Sequence, residues 1–301
     1  MNILLLFLDG VGIGKNDEST NPFFRSSLPT LRSLLGEIPH SRLKSVSTAN
    51  AVLVPVNATL GVEGLPQSGT GQTAIFTGIN APKKIGRHFG PFPTTDLRPE
   101  IEKKNIFRQL QDHGKSVVFA NAFPKQFFEY TRSGTRRLSV TTLSCMMTGI
   151  PLQTIDSLRR DESVSADLTR ERWPELGYPD LPVVTAYQAG KHLAAIIQKH
   201  DFTLFEYWLT DHAGHRREMK FAVDVLERFD SFLNGILDSV NLRDTLIVLI
   251  SDHGNIEDLS TKSHTRNPVP CIALGTKRQE FVSRIKNLTH ITPAIVHFLT
   301  T

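Results

Sequence analysis

The chain has 301 residues, 40% of them hydrophobic and 21% charged, with a formal net charge of +4 at pH 7. That is enough apolar residue to bury a sizeable core, and too mild and scattered a charge for dedicated nucleic-acid binding. An anionic small substrate suits the same balance.

The apolar run Ile3–Leu8 opens the chain and reads as a strand buried on both faces. It has no basic flank and no small-residue cleavage site, and no other run approaches the roughly 20 apolar residues of a membrane span. Cys145 and Cys271 lie far apart and fit no metal spacing, so they read as reduced thiols. A cytoplasmic protein without a membrane segment is expected, with its oligomeric state open.

A Gly-rich loop follows the first strand at Asp9–Gly14, and residues 29–36 predict a short helix. "LPQSGTGQTAIFTG" (65–78) reads as a turn opening into a helix that stops at Gly78. Residues 105–114 predict a helix and 116–123 a strand. Residues 124–185 carry five prolines and read as an irregular lid or cap inserted in the core of residues 1–123 and 186–301. Alternation then resumes with helix 187–199, strand 202–209, amphipathic helix 218–239, strand 245–250, strand 269–275 and helix 291–299. This order predicts an α/β fold, a mostly parallel central sheet with helices on both faces.

In such sheets ligands bind beyond the carboxyl ends of the strands. The first strand ends on Asp9, the strand 202–209 leads to Asp211 and His215, and strand 245–250 ends on Asp252-His253, with His264 eleven residues on. Each alone has a bland explanation as a turn former or surface group, but three Asp and three His at strand ends predict a metal site. Mixed Asp/His donors suit Zn²⁺ or Mn²⁺, with Mg²⁺ a further option, and six donors are too many for one catalytic ion that keeps an open position. Two divalent ions would use them all, as in a phosphoryl displacement. Ser68, among small residues at a helix start, is the candidate nucleophile and Thr70 its rival.

With these residues gathered, the sequence resembles the alkaline phosphatase superfamily, in particular the branch of cofactor-independent phosphoglycerate mutase and phosphopentomutase. "FLDGVGIG", "QSGTGQ", "DHAGH", "SDHGNIED" and "HTRNPVP" carry the likeness. It implies one ion on Asp211, His215 and His264, and another on Asp9, Asp252 and His253 with Ser68 beside it as the phosphorylated residue. His212 has no ligand role in this scheme. Two departures stand out: Gln72 replaces a histidine of the mutase motif, and only 124–185 is left for a substrate cap. The Cys/Ser-x-Pro-x-Arg setting of sulfatases is absent.

The expected activity is two-metal phosphoryl transfer on a small phosphorylated substrate, as a phosphomonoesterase or phosphodiesterase. A phosphomutase is the alternative, and a non-catalytic phosphate-ligand or protein-binding module the third reading. Arg87, His88 and Arg266 are candidate phosphate contacts, with Arg132, Arg136 and Arg137 available from the lid.

Overall fold

An apolar run without polar alternation must be covered on both faces, and Ile3–Phe7 is completely buried. In the computed structural model, which describes residues 1–134 and 137–301, this run is the strand β1 (Asn2–Leu8). The other strands are β2 (Val46–Ser47), β3 (Ala51–Val56), β4 (Val117–Phe119), β5 (Phe202–Tyr207), β6 (Thr245–Ser251) and β7 (Val269–Gly275). They form a seven-stranded sheet in the order β2-β3-β7-β6-β1-β5-β4. Strand β1 pairs in parallel with β5 and β6, and β4 in parallel with β5, whereas β7 runs antiparallel to both β6 and β3. Only β7 and the short β2 therefore oppose the common direction, and the mostly parallel α/β expectation holds.

The helices α1 (Pro29–Leu35), α2 (Ser68–Thr77), α3 (Ala81–Ile85), α4 (Arg98–Lys104) and α5 (Ile106–Asp112) belong to the first part of the chain. They are followed by α6 (Lys125–Arg132), α7 (Val140–Thr148), α8 (Ile155–Arg159), α9 (Ala186–Ile197), α10 (Leu209–Arg216), α11 (Met219–Leu237), α12 (Arg278–Ser283) and α13 (Ile291–Thr300). Period-2 alternation along β1 divides the core. Ile3, Leu5 and Phe7 pack with α2, α5, α7 and α13, while Leu4, Leu6 and Leu8 pack with α9 and α11. None of the helices among the described residues is long and apolar enough to cross a membrane. Both cysteines are free and buried, and burial pushes the Cys271 thiol up to about 12, where it is unreactive.

Three elements differ from the sequence reading. Strand β3 was hidden by Pro55, which sits opposite Pro270 in the β3–β7 pair. Two residues without N–H groups can face each other only where the ladder needs no donor. Strand 202–209 stops at Tyr207, and the next residues form α10, so Asp211 and His215 lie one turn apart on a helix. Residues 124–185 are not irregular. They hold α6, α7 and α8, and α7 buries Val140, Leu143 and Cys145 against the main core. The remainder has a small core of its own around Leu158, Trp173 and Leu181. Arg136 lies outside the described residues.

Candidate active site

The register of the parallel strands lines up their carboxyl ends. Leu8 pairs with Ser251 on one side and Tyr207 on the other, so Asp9, Asp252 and the start of α10 emerge together. Gly10 has φ +70° there, and a Cβ on it would meet Asp211 Oδ1 at 2.6 Å. Only glycine lets the β1 loop pass α10 this closely. Helix α2 arrives from the opposite side, and a Cβ on Gly71 would stand 2.9 Å from Asp252 Cβ.

Ser68 is the first residue of α2, and Gln67 before it is the N-cap without a side-chain capping bond. Ser68 is therefore not a helix cap. Its hydroxyl faces the positive end of the helix dipole, where the first N–H groups have no intrahelical acceptor.

Three oxygens converge on one nitrogen. His253 Nε2 lies 2.9 Å from Ser68 Oγ, 3.3 Å from Asp9 Oδ1 and 3.6 Å from Asp252 Oδ2. Asp9 Oδ1 and Asp252 Oδ2 are buried and accept no hydrogen bond. A Ser-His-Asp relay would place a carboxylate on the other ring nitrogen, but Nδ1 here faces the Gly254 carbonyl at 3.4 Å. Donors crowded on one point, with lone pairs unspent, fit a cation. Two ligands each about 2.1 Å from one tetrahedral ion stand roughly 3.4 Å apart, close to the separations seen.

A second cluster adjoins it. His215 Nε2 lies 3.3 Å from Asp211 Oδ2 and 3.3 Å from His264 Nε2, and His264 Nε2 is 3.7 Å from Asp211 Oδ1. His264 Nδ1 donates to the Pro66 carbonyl at 2.9 Å, which leaves the Nε2 lone pair facing inward. At 3.3 Å from that lone pair, His215 Nε2 either donates its N–H to it or shares a cation with it. The His253 and His264 rings stack with centroids 3.8 Å apart, so the clusters share a wall. Asp211, His253 and His264 also satisfy the geometry of a metal-binding group, as do Asp9, Asp252 and His253.

Electrostatics differ between the two. Burial and then neighbouring carboxylates push Asp9 and Asp252 upward, Asp252 well above the usual carboxylate range. Burial disfavours the His253 imidazolium, yet Asp252 and Asp9 hold its pKa up at about 10. Burial and the charge on His253 lower His264 to about 4, so it is neutral and ready to ligate at pH 7. His253, held at about 10, thus carries a proton across the neutral range that an ion must displace. Affinity there should rise up to about tenfold per pH unit for each proton displaced between pH 6 and 9. Calorimetry of Zn²⁺ or Mn²⁺ binding in buffers of different ionisation enthalpy will measure the release. Binding without proton release would contradict this electrostatic reading.

Comparison with known proteins agrees with the fold. Residues 181–301 match the profile of the metalloenzyme superfamily. Solved structures of alkaline phosphatase from the Antarctic bacterium TAB5 (TM-score 0.56, 15% identity, 99% of this chain and 97% of that one) and of cold-active alkaline phosphatase from Shewanella sp. (0.55, 12%, 100% of each) share the fold. The C-terminal part of the chain carries the metalloenzyme superfamily's profile, on an alkaline-phosphatase-like fold. Among sequence relatives, 2,3-bisphosphoglycerate-independent phosphoglycerate mutase of Pyrococcus abyssi is 29% identical over 86 residues, 29% of this chain and 20% of that protein. The Thermococcus gammatolerans enzyme of the same name is 19% identical over 89% of this chain and 70% of its own length. Phosphopentomutase of Helicobacter acinonychis is 34% identical over 33% of this chain and 24% of that protein. The first relatives are matched over only about a fifth to a quarter of their length.

Several supporting roles escaped the sequence reading. Glu257 ties the loops together: it accepts from Gly12 N and Asn255 N through Oε2, and from Thr265 Oγ1 and Asn267 Nδ2 through Oε1. Asn255 Nδ2 donates to Asp211 Oδ1 at 2.6 Å, fixing that carboxylate. Gln72, which stands where the mutase motif has histidine, reaches Asp9 Oδ2 at 3.4 Å and keeps an unpartnered Oε1. Glu206 is a buried carboxylate near the end of β5 that accepts from Thr141 Oγ1 at 2.7 Å. Burial, with the negative charge of Asp9, raises its pKa to about 7. The signal was there, a lone acid in "FTLFEY", whose other face-mates Phe202 and Leu204 belong to the core.

The proposed substrate contacts fare unequally. Thr70 is completely buried, and its hydroxyl donates to the Gln67 carbonyl and accepts from Phe89 N, so it is a fastening and not a rival nucleophile. His88 Nε2 donates to the Val62 carbonyl and Arg266 Nε to the Gly64 carbonyl. Arg87 packs over the Phe89 ring at 5.4 Å. Arg87 and His88 line a cleft that also includes Gln67, the residue before Ser68. His212 sits edge-on between Trp208 and Phe221, outside both donor clusters.

Proposed function

We propose that this chain is a two-metal phosphoryl-transfer enzyme working through Ser68, acting as a phosphomonoesterase or phosphodiesterase. The observation that carries the reading is the convergence of Ser68 Oγ, Asp9, Asp252 and His253 on one point beside the Asp211–His215–His264 cluster. Asp9, Asp252 and His253 would hold one divalent ion and Asp211, His215 and His264 the other. Zn²⁺ or Mn²⁺ suits these donors best, with Mg²⁺ a poorer match. When bound, the ions acidify a nearby hydroxyl and neutralise charge on the phosphoryl oxygens.

The protein's own part is positional. Ser68 presents Oγ at a helix N-terminus, where the phosphoryl group meets backbone N–H donors and a favourable dipole. The Ser68 oxygen attacks phosphorus, the bond to the ester oxygen breaks, and the departing alcohol takes up a proton. Water then opens the phosphoserine. The Asn255 bond to Asp211 and the Pro66 carbonyl on His264 hold two donors in orientation through the cycle. Arg87, His88 and Arg266 remain candidates to grip the phosphate.

Phosphomutase activity is the second reading, favoured by relatives named phosphoglycerate mutase and phosphopentomutase. Against it, a mutase must keep water from the phosphoserine, and 124–185 gives only a small cover. Turnover in ¹⁸O-water separates the two: hydrolysis puts label into released phosphate, while a mutase yields an isomerised, unlabelled ester. A binding module without chemistry is disfavoured because the six donors and the hydroxyl are all present. Metal-reconstituted assays on monoester, diester and sugar-phosphate panels test the whole reading. Activity insensitive to Ser68→Ala would sink it.

A further inference from the structure

Between the sheet edge and the 124–185 segment lies a cavity of about 560 Å³, within the range of small-molecule sites. Its walls are aromatic: Phe92, Phe123, Phe127, Tyr130, Trp173 and Trp208 all line it. Phe123 and Phe127 stack face to face at 4.3 Å. Helix α6, which supplies Phe127 and Tyr130, buries none of its residues completely, and Tyr130 and Trp208 are 41% and 37% exposed. A soluble chain gains nothing by leaving such rings open to water unless something covers them.

The cavity adjoins the candidate active site. Its floor includes Glu206, one position before the end of β5 and close enough to feel the charge of Asp9. The Phe92 carbonyl lies against the first turn of α2, 2.4 Å from where a Cβ on Gly69 would stand. Trp208 immediately precedes α10, which carries Asp211 and His215. Polar and charged side chains share the lining with these rings, among them Asn121, Glu206, Asp167 and Arg172. Stacking aromatic walls with hydrogen-bonding groups among them suit a flat ring with polar edges better than a short polyol.

We infer that this cavity holds the organic part of the phosphate ester, and that this part carries a planar aromatic ring. The inference rests on the phosphoryl-transfer reading for where the phosphate sits, but ring binding is measurable without turnover. The shared chemistry is a ring and a phosphate; the ring is either joined directly to the ester oxygen or carried on a ribose. Phenyl phosphate and adenosine 5′-monophosphate distinguish these sources, and glycerol 3-phosphate has no ring.

Both tryptophans of the chain, Trp173 and Trp208, line the cavity, so its occupancy is visible in their fluorescence. In metal-loaded Ser68→Ala protein, phenyl phosphate or adenosine 5′-monophosphate should quench emission saturably, with Kd at least about tenfold below that of glycerol 3-phosphate. Phe127→Ala should weaken the ring-bearing ligand by about tenfold, and in otherwise wild-type enzyme lower the kcat/KM ratio of ring-bearing over ringless ester by a similar factor, mainly through KM. Phe127→Leu, which keeps apolar bulk on the exposed helix, should recover fold but not selectivity. Equal affinity for ringed and ringless esters, or no change in selectivity with Phe127→Ala, overturns the inference. Ring-dependent quenching in a protein without phosphatase or mutase activity would keep the ring site and reject the phosphoryl-transfer reading.

Discussion

Asp252→Asn should make the metal-free protein more stable while abolishing its response to metal. Asp252 is fully buried, its Oδ2 accepts no hydrogen bond, and burial together with Asp9 drives its carboxyl well above the ordinary range. The sign follows from linkage. A carboxyl with a raised folded-state pKa contributes its full stability below the unfolded pKa and loses it as pH rises through the folded value. At neutral pH wild-type therefore bears a cost that an isosteric amide removes. The gain is expected as a higher metal-free melting temperature at neutral pH, because the amide removes an ionisable group from a fully buried position. Its dependence on pH between 4 and 8 should flatten. With Zn²⁺ or Mn²⁺ the order reverses. Loss of an outer partner of a metal ligand alone costs about 10–100-fold in affinity, so loss of a ligand should cost more than about 100-fold. Thermal melts with and without metal at several pH values give both quantities. A destabilised metal-free variant with an unchanged metal response would refute the assignment of Asp252.

Ser68→Ala should leave fold and metal binding intact and remove catalysis. Among the described residues the Ser68 hydroxyl makes one hydrogen bond, to His253 Nε2, and the cap of α2 is Gln67 instead, so the helix loses no capping bond. Melting temperature should shift by no more than the equivalent of about 1 kcal/mol, a single hydrogen bond. Loss of the nucleophile should reduce kcat on the order of 10³-fold or more, as for other residues that act together as one catalytic unit. Quenching of wild-type turnover with acid should trap phosphate on Ser68, detectable by mass as an added phosphoryl group, and none in the variant. Phosphate found on Thr70 would overturn the choice of hydroxyl, although the buried bonds of Thr70 to Gln67 and Phe89 argue against it.

Much of this was legible in the chain because buried parallel strands announce themselves. The runs 3–8 and 246–250 lack polar residues, so the acids that follow them stand out, and Asp9, Asp252 and His253 could be named at once. Asp211 and His215 were legible by spacing, yet the sequence suggested a strand end where α10 supplies a helical i, i+4 pair. Glu206 was missed because one acid within an apolar strand looks like an exception until Asp9 and Thr141 are seen around it. Strand β3 was missed because a proline argues against a strand, and only its partner Pro270 explains why the ladder tolerates it. The order within 124–185 was obscured by prolines that punctuate short helices and turns.

By itself the sequence determined the kinds of donor and the strand ends that carry them, since hydrophobic periodicity fixes which residues leave the sheet and where. Which atoms meet was decided by tertiary structure. Gly10 and Asp252 are 242 residues apart and are joined only because β1 lies between β6 and β5 in matched register. Side-chain chemistry is local, but strand order, and the convergence of three oxygens on His253 Nε2, is set by long-range packing of the two helical layers.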